Sequence, residues 1–292
     1  MKLDMQQIYI DSRFKTANSK SESDFSVELH RSFNVPDGVV AHIDDIVIPV
    51  SWSTIDARNN TAFVAFSCVG TLREYTFEFD SQNYDGAMFA SMLTDYLNTA
   101  VIGFTHAGVS IEPLFVCAYD VGENKLTISL TDGSDRSGLV KELAPFGLVF
   151  YTDEYLKTES KLSTLNTINT IIRNTERTII TESAPYVCYL DLFQTRNLYL
   201  TSSALCSYDT VSNFGMDTII KKIPCTAGYN KMIFQSSGST LDGLDVSKRT
   251  LRFLDFKLVD SSFRTIPLQG NHFSFSIVFQ QKRQHLKTLH LP

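Results

Sequence analysis

The segment QGNHFSFSIVFQQ, Gln269–Gln281, alternates apolar residues with small or polar ones. Its alternate apolar positions are Phe273, Phe275, Ile277 and Phe279. A period of two places such residues on one face of a β-strand, and that face is normally turned towards the core. Gly270 permits the turn that leads into the strand. We therefore expect the segment to be the final strand of a β domain, with its aromatic side chains pointing inward.

Similar strand patterns occur in two other parts of the chain. Before residue 53 they are QQIYIDSR, SDFSVELH and VVAHIDDIVIPVSW; after residue 185 they are YVCYLDL, RNLYLTS, DTIIKKI, KMIFQ, LRFLDFKLV and HFSFSIVF. Pro49 must end or bend the third early strand or lie at a sheet edge, and the turn at Asn34–Gly38 supplies Pro and Gly for a reversal. Six late strands are too few for an eight-stranded jelly roll, and two or three early strands complete it. The sequence predicts a mainly β protein with a single jelly roll, an antiparallel β-sandwich.

A different pattern separates the two groups of strands. The run AFVAFSCVGTLREYTFEF predicts a hairpin around Gly70, and LFVCAYD with NKLTISL predicts a second one. Between them, NYDGAMFASMLTDYLN has the spacing of a helix whose buried face is Phe89, Met92, Leu93, Tyr96 and Leu97. Asp85 is placed to cap the start of this helix. We expect a small α+β unit inserted into the jelly roll.

These patterns divide the chain into five segments. Residues 1–58 hold the first strands of a discontinuous jelly roll, and residues 59–150 hold the α+β insertion. Residues 151–185 form a Thr-rich connector, residues 186–280 the remaining jelly-roll strands, and residues 281–292 a basic C-terminal arm.

The run TLRFLDFKLVD changes its apolar face midway. Leu251 and Phe253 share one face, whereas Leu254, Phe256 and Leu258 share the other. A bulge at Phe253–Leu254, or a strand covered on both sides near its start, would explain the change.

Composition argues against several classes of protein. A net charge of −6 argues against a general affinity for nucleic acid. One local exception is the arm with Lys282, Arg283 and Lys287, which is either a solvated end or a contact for an acidic neighbour or nucleic acid. The five cysteines, Cys68, Cys117, Cys188, Cys206 and Cys225, form no CxxC pair, which argues against zinc. Without a signal peptide or an apolar run of spanning length, we expect synthesis in a reducing intracellular compartment and no membrane span.

Candidate chemical groups do not converge. Asp44 and Asp45 are neighbours and would project to opposite faces of a strand, so a turn or edge role is favoured over a paired carboxylate site. His272 is favoured as a sheet-edge residue, hydrogen-bonded to backbone or facing a subunit neighbour, over a catalytic one.

The loop TDGSDRSG, Thr131–Gly138, brings Asp132 and Asp135 near small residues and has oxygen ligands of the kind calcium prefers. It matches no complete ligand pattern and has Arg136 in its middle, so a hydrated hairpin loop is favoured. The sequence thus predicts no catalytic, cofactor-binding or metal-binding residues and no cofactor, and we expect that the protein is not an enzyme.

Two stretches together resemble a known family. They are IYIDSRFKT…SDFSVELHRSFNVPDGVVAHIDDIVIPVSWSTIDARNN and IIKKIPC…DVSKRTLRFLDFKLVDSSFRTIPLQGNHFSFSIVF. With YTFEFDSQNYDGAMFASMLTDYLN and FVCAYDVGENKLTISL between them, the chain resembles the penton-type minor capsid protein of Polinton or Maverick elements, adintoviruses, polinton-like viruses and virophages. The similarity lies in packing and turn patterns and covers most of the chain.

The resemblance implies a structural virion protein at the capsid vertex, assembled inside the host cell. Five copies would close each five-fold position of an icosahedral shell as a homopentamer, beside a double jelly-roll major capsid protein. A vertex spike or host receptor would be a further partner, and no specific nucleic acid is expected. The alternative is a virion-borne jelly-roll receptor- or glycan-binding module, with Tyr84, Tyr96 and the Thr131–Gly138 loop as its binding residues.

Overall fold

The structure is a computed structural model, and it describes residues 5–68, 71–101, 104–106, 109–111, 114–131, 147–159, 166–181, 183–207, 217–236 and 243–281. The chain divides into two compact units. The first is formed by the chain up to Trp52 together with the chain from Thr195 onward, and the second is Ser53–Gln194. Because the first unit is discontinuous in sequence, the second is an insertion within it.

The described strands are given in chain order. They are β1 (Gln6–Asp11), β2 (Asp24–Asn34), β3 (Val39–Pro49), β4 (Thr61–Cys68), β5 (Thr71–Glu78), β6 (Phe104–His106), β7 (Val109–Ile111), β8 (Leu114–Asp120), β9 (Lys125–Thr131), β10 (Gly147–Phe150), β11 (Ile179–Ile180), β12 (Tyr186–Tyr189), β13 (Asn197–Thr201), β14 (Ile219–Pro224), β15 (Met232–Gln235), β16 (Leu244–Asp245), β17 (Thr250–Val259) and β18 (Ser274–Gln281). The helices are α1 (Gly86–Val101), α2 (Asp153–Thr158) and α3 (Asn169–Ile172), and a 3-10 turn occupies Ser12–Phe14.

Two antiparallel sheets form the first unit. One has the strand order β1-β18-β3-β15, with β16 also paired to β3, and the other has the order β14-β13-β17-β2. Side chains from both sheets share one apolar core. The final strand β18 lies between the early strands β1 and β3, as the long-range connections of a jelly roll require. The first unit is therefore a single jelly roll, and the predicted fold class is confirmed.

The aromatic face of β18 points into this core, as predicted. Phe273, Phe275, Ile277 and Phe279 are all buried there. The ring of Phe273 meets that of Phe25 edge-on at 5.6 Å, and the ring of Phe275 meets that of Phe256 at 4.9 Å. Such pairs contribute about 0.5–1.5 kcal/mol each beyond the area they bury.

The jelly-roll strands are distributed differently from the prediction. Three come before the insertion, and the later part of the chain supplies β13, β14, β15, β17 and β18, with the unpredicted short strand β16 beside them. YVCYLDL was expected to be a jelly-roll strand, but its β12 pairs with β9 in the second unit, where Cys188 lies opposite Leu126. Cys188 and Leu190 are buried in the core of that unit, which explains the apolar character of the run.

Strand β3 contains a bulge that the sequence analysis did not predict. Ile43 pairs with Ile277 and Ile46 pairs with Phe275, so Asp44 and Asp45 together oppose the single residue between those two partners. Ile43 and Ile46 are three positions apart and would face opposite ways in a regular strand. Because one extra residue is absorbed at the bulge, both isoleucines are buried in the jelly-roll core. The strand ends at Pro49, as predicted.

Strand β17 has the irregularity that was predicted, one residue earlier than expected. The register with β2 shifts between Leu251 and Phe253. Leu251 and Leu254 are both buried in the core, whereas Phe253 is exposed. The expectation that Leu251 and Phe253 share a face is therefore wrong, because the shift falls between them.

The second unit contains the predicted hairpins and helix. Strands β4 and β5 pair from Thr61–Glu78 to Cys68–Thr71, with the turn at Gly70 outside the described residues, and β8 pairs with β9. Helix α1 begins after Asp85, whose carboxylate accepts a hydrogen bond from the backbone N–H of Met88 at 2.8 Å. Its side chains Phe89, Met92, Leu93, Tyr96 and Leu97 contribute to the core of this unit. The helix and its cap are confirmed.

Residues 151–185, predicted as a Thr-rich connector, hold more regular structure than the prediction included. They contain α2, α3 and β11, and Ile168, Ile171, Ile172 and Ile180 are buried in the core of the second unit. Strand β10 joins β11 to β4, so this segment completes the sheet begun by the first hairpin. The sequence did not predict this role, because threonines separate the apolar residues so widely that they show neither a strand period nor a helix period.

Candidate interaction surfaces

The neighbouring carboxylates Asp44 and Asp45 belong to strand β3. They lie at the β3 bulge, where the buried hydroxyl of Ser276 donates a hydrogen bond to the Asp45 carboxylate. The expectation of opposite faces assumed a regular strand, and the bulge interrupts the alternation at these two residues. On the other side of β3, the described pairs are those of β15 with Ile46–Pro49 and of β16 with Val40–Ala41, so the expected edge role stays a prediction.

His272 does not lie at a sheet edge. It precedes β18, which is paired to β1 on one side and to β3 on the other. Its ring atom Nδ1 lies 3.1 Å from the hydroxyl oxygen of Ser12, and the same oxygen accepts the backbone N–H of Phe273 at 3.1 Å. The contacts join the chain before β18 to the turn after β1. His272 therefore has a side-chain partner in place of the expected backbone one.

The residues proposed for ligand binding differ in accessibility. Tyr84 is buried in the core of the second unit beside Phe79 and Phe89. Tyr96 is partly buried, and its hydroxyl donates to the backbone carbonyl of Glu78 at 3.2 Å. Residues 132–138 of the candidate calcium loop lie outside the described residues, as does the basic arm beyond residue 281. Tyr84 is therefore too buried to contact a ligand at the surface.

Three of the described thiols are poor nucleophiles. Burial raises the pKa of Cys117 and Cys188 to about 12 and that of Cys225 to about 11. A thiol with such a pKa is protonated at neutral pH, and the thiolate is the form that reacts or binds a metal. These cysteines serve as small apolar side chains.

The described residues offer little further chemistry. No group of three or more His, Cys, Asp or Glu side chains in these ranges is arranged to hold a metal ion. Within the same part of the chain, no helix combines the length and the apolar character needed to cross a membrane. A shallow groove of about 380 Å³ lies between α1 and β8, lined by Ala87, Ala90, Ser91, Thr94, Asp95, Val116, Cys117 and Tyr119.

The clearest surface feature of the jelly roll is the position of its exposed apolar side chains. Among the described residues of the first unit, seven large hydrophobic side chains are exposed, and six of them lie in or beside the two terminal strands of one sheet. The first group, here called the β1 edge, is Met5, Tyr9 and Phe14. The second group, called the β15 edge, is Tyr229, Met232 and Phe234. The seventh residue, Phe253, is in the other sheet.

The two edges face the same side of the sheet. In β1, Ile8 and Ile10 pack in the jelly-roll core, so Tyr9 between them points outward, and it is 77% exposed. In β15, Ile233 is buried in the same core, and its neighbour Phe234 is 67% exposed on the outer face. Apolar side chains on unpaired strand edges are typical of surfaces that bind another protein.

The β1 edge carries little unbalanced charge. Its acidic residue Asp11 accepts hydrogen bonds from the guanidinium of Arg13, with the Nε–Oδ2 distance at 3.0 Å. The contact holds the pKa of the Asp11 carboxyl below its usual range. An apolar partner that binds the β1 edge therefore contacts an ion pair whose two charges balance each other.

The sequence analysis missed these two edges. A signal was present, because QQIYID places a tyrosine on the face opposite its two isoleucines, and KMIFQ does the same with Met232 and Phe234 around Ile233. A strand with apolar residues on both faces is equally typical of a strand that is buried on both faces. Only the sheet order shows that both strands are terminal.

Comparisons with known proteins bear on the fold. No protein-family model and no curated protein matches the sequence. Among solved structures, the chain is similar to the crystal structure of mavirus penton protein, with 11% sequence identity and a TM-score of 0.54. The similarity covers 95% of this chain and 99% of that chain, so it extends over both units. The chain therefore has the same fold as this penton protein, and the fold that the sequence resemblance implied is confirmed.

Proposed function

We propose that the chain is a structural virion protein, the penton or vertex minor capsid protein, which forms homopentamers at the five-fold positions of an icosahedral shell. The observation that carries the proposal is the similarity in fold to mavirus penton protein over 95% of this chain and 99% of that one. Agreement over this length includes the inserted unit, whereas a jelly roll alone is shared by proteins of many functions.

Two features of the surface support an assembling role. The described residues present apolar groups at both terminal strands of one sheet, and a closed ring requires two different contact surfaces on each copy. The buried thiols and the structural role of Asp44 and Asp45 support a protein without catalysis.

The proposed partners are further copies of this chain and a double jelly-roll major capsid protein that builds the faces of the shell. A vertex spike or host receptor is a further partner in this proposal, and neither a nucleic-acid sequence nor a membrane span is part of it. The place of action is the capsid vertex of a virion assembled inside the host cell.

The test is to produce the full chain together with a double jelly-roll capsid protein from the same genome and to image the particles by electron microscopy. We expect rings of five copies at the five-fold positions. Density for this chain at three-fold or general positions would remove the vertex assignment. Native mass spectrometry of the purified chain should show species of five times 32.9 kDa.

The alternative, a receptor- or glycan-binding module, stays a prediction. The groove between α1 and β8 offers the carboxylate of Asp95 and the ring of Tyr119, which are groups that bind sugars. A glycan array with the full chain tests it. Specific binding that is lost in Asp95→Ala would support a ligand site, and an array without signal would leave the structural role alone.

A further inference from the structure

We propose that the β1 edge of one copy binds the β15 edge of the next copy, so that one heterologous contact is repeated around the ring. The inference rests on the proposed function and adds the surfaces that form the pentamer. Its occupant is a second copy of this chain, and the surfaces are those defined by Tyr9 and Phe234 with their neighbours.

The positions of the two edges make them separate surfaces. In the order β1-β18-β3-β15, three strand-to-strand steps separate the terminal strands. At about 4.8 Å per step, the edges lie roughly 14 Å apart, too far for Tyr9 and Phe234 to cover each other within one copy. The two edges are therefore separate surfaces, and neither covers the other.

The two edges carry few of the features that usually prevent strand edges from pairing. Natural sheets protect terminal strands with Lys, Pro or a covering element. From Met5 to Asp11 the sequence MQQIYID has neither Lys nor Pro. Strand β15, MIFQ, has no charged residue, and Lys231 directly precedes it. Tyr9 and Phe234 are 77% and 67% exposed, although each belongs to a regular strand. Such edges favour association with another protein surface.

The available apolar area suits a stable contact. The six side chains of the two edges are each between 50% and 77% exposed. Since a large hydrophobic side chain offers about 200 Å², they present roughly 800 Å² of mostly apolar surface. A standard protein interface buries about 1,600 Å² in total, a little over half of it apolar. Joining one β1 edge to one β15 edge therefore supplies about the apolar share of one such interface.

A heterologous contact explains why both edges are apolar. A two-fold contact between two β1 edges would close after two copies and leave both β15 edges exposed to water. Contact between unlike edges uses both surfaces of every copy, and in a closed ring no apolar edge is left over. The neutralised pair of Asp11 and Arg13 lets the β1 edge enter this contact without burying an isolated charge.

Two substitutions test the pairing in the full chain. Tyr9→Asp places a charge at the β1 edge, and Phe234→Asp places one at the β15 edge. We expect each variant alone to lose the pentamer and to behave as a monomer of about 32.9 kDa in analytical ultracentrifugation. A mixture of the two retains one intact pair of unlike edges, so it should form dimers and no larger ring. Phe253→Asp, at a phenylalanine of the other sheet that is 59% exposed, is the matched control and should keep the pentamer.

The outcomes separate this inference from the proposed function. Fluorescence of the single tryptophan, Trp52, which is buried in the jelly-roll core, checks that each variant is folded. Folded variants that still form pentamers would overturn the edge pairing and leave the penton role intact, as would a mixture that stays monomeric or a loss of rings in Phe253→Asp. A wild-type chain that never forms rings of five, alone or in particles, would overturn the proposed function itself.

Discussion

Deletion of Asp44 from the interior strand β3 should be tolerated, although deletions in core strands usually unfold a domain. The bulge at Asp44–Asp45 carries one residue more than the facing strand, which offers only Ser276 there. Removing Asp44 leaves Ile43 and Ile46 two positions apart, so both keep their inward direction in a regular strand. The remaining aspartate still faces Ser276. We expect the free energy of unfolding to change by less than about 1 kcal/mol, the scale of one hydrogen bond.

Deletion of Val47, three positions further on, is the matched comparison. It moves Ile48 and Val50, both buried in the jelly-roll core, to the opposite face. Each fully buried aliphatic side chain contributes about 1.5–3 kcal/mol, so the loss should reach about 3–6 kcal/mol. A domain is stable by about 5–15 kcal/mol in total, so this variant should be largely unfolded.

Urea titration followed by the fluorescence of Trp52 measures both deletions, because this tryptophan lies in the core to which β3 contributes. With a slope of about 1–3 kcal/mol per molar urea, the Val47 deletion should lower the midpoint by roughly 1–6 M and the Asp44 deletion by less than about 1 M, so at equal slope the first shift is at least about three times the second. Asp44→Ala keeps the bulge and controls for loss of the carboxylate. An Asp44 deletion as damaging as the Val47 deletion would refute the reasoning that the bulge only corrects the phase of the strand.

Three other predictions concern the second unit. Asn98→Ala should cost about 1–3 kcal/mol and remove the hydrogen-exchange protection of the Phe115 amide, because Asn98 accepts the N–H of Phe115 at 2.8 Å and donates to its carbonyl at 3.0 Å. An unchanged exchange rate at Phe115 would contradict this role. Gly86→Ala should lower the melting temperature, since a Cβ there would lie 2.2 Å from the Tyr119 ring, and Tyr119→Ala in the same chain should restore part of the loss. Alkylation of Cys117 and Cys188 at pH 8 should be roughly 1,000-fold slower in the native protein than in urea, because burial raises their pKa to about 12; equal rates would show that the thiols are accessible.

The fold was predictable from the sequence where side chains alternate strictly. Phe273 to Phe279 identified the last strand and its inward face, and the helical spacing with Asp85 identified α1. The same logic applied to VVAHIDDIVIP would have located the second bulge, since Ile43 and Ile46 break the period of two just as Leu251 and Leu254 do. The polar pair Asp44–Asp45 was instead interpreted only as a candidate carboxylate site or as a turn or edge.

Other features depend on pairings that a single sequence does not contain. Residues 186–192 alternate like a jelly-roll strand, and only their pairing with β9 assigns them to the insertion. The isoleucines of α3 and β11 are too few and too widely spaced to signal a core segment until β10 brings them together with the first hairpin. Local patterns report burial of a face, and they do not report which partner buries it.

The place of the insertion is compatible with an assembling jelly roll. It follows β3, in one sheet, and precedes β13, in the other, so it replaces a connection between sheets and interrupts neither strand order. The entropic cost of a long connection grows only slowly with its length, so a folded unit at this point leaves the jelly roll intact. The insertion therefore adds a second unit without changing the pairing of the jelly-roll strands.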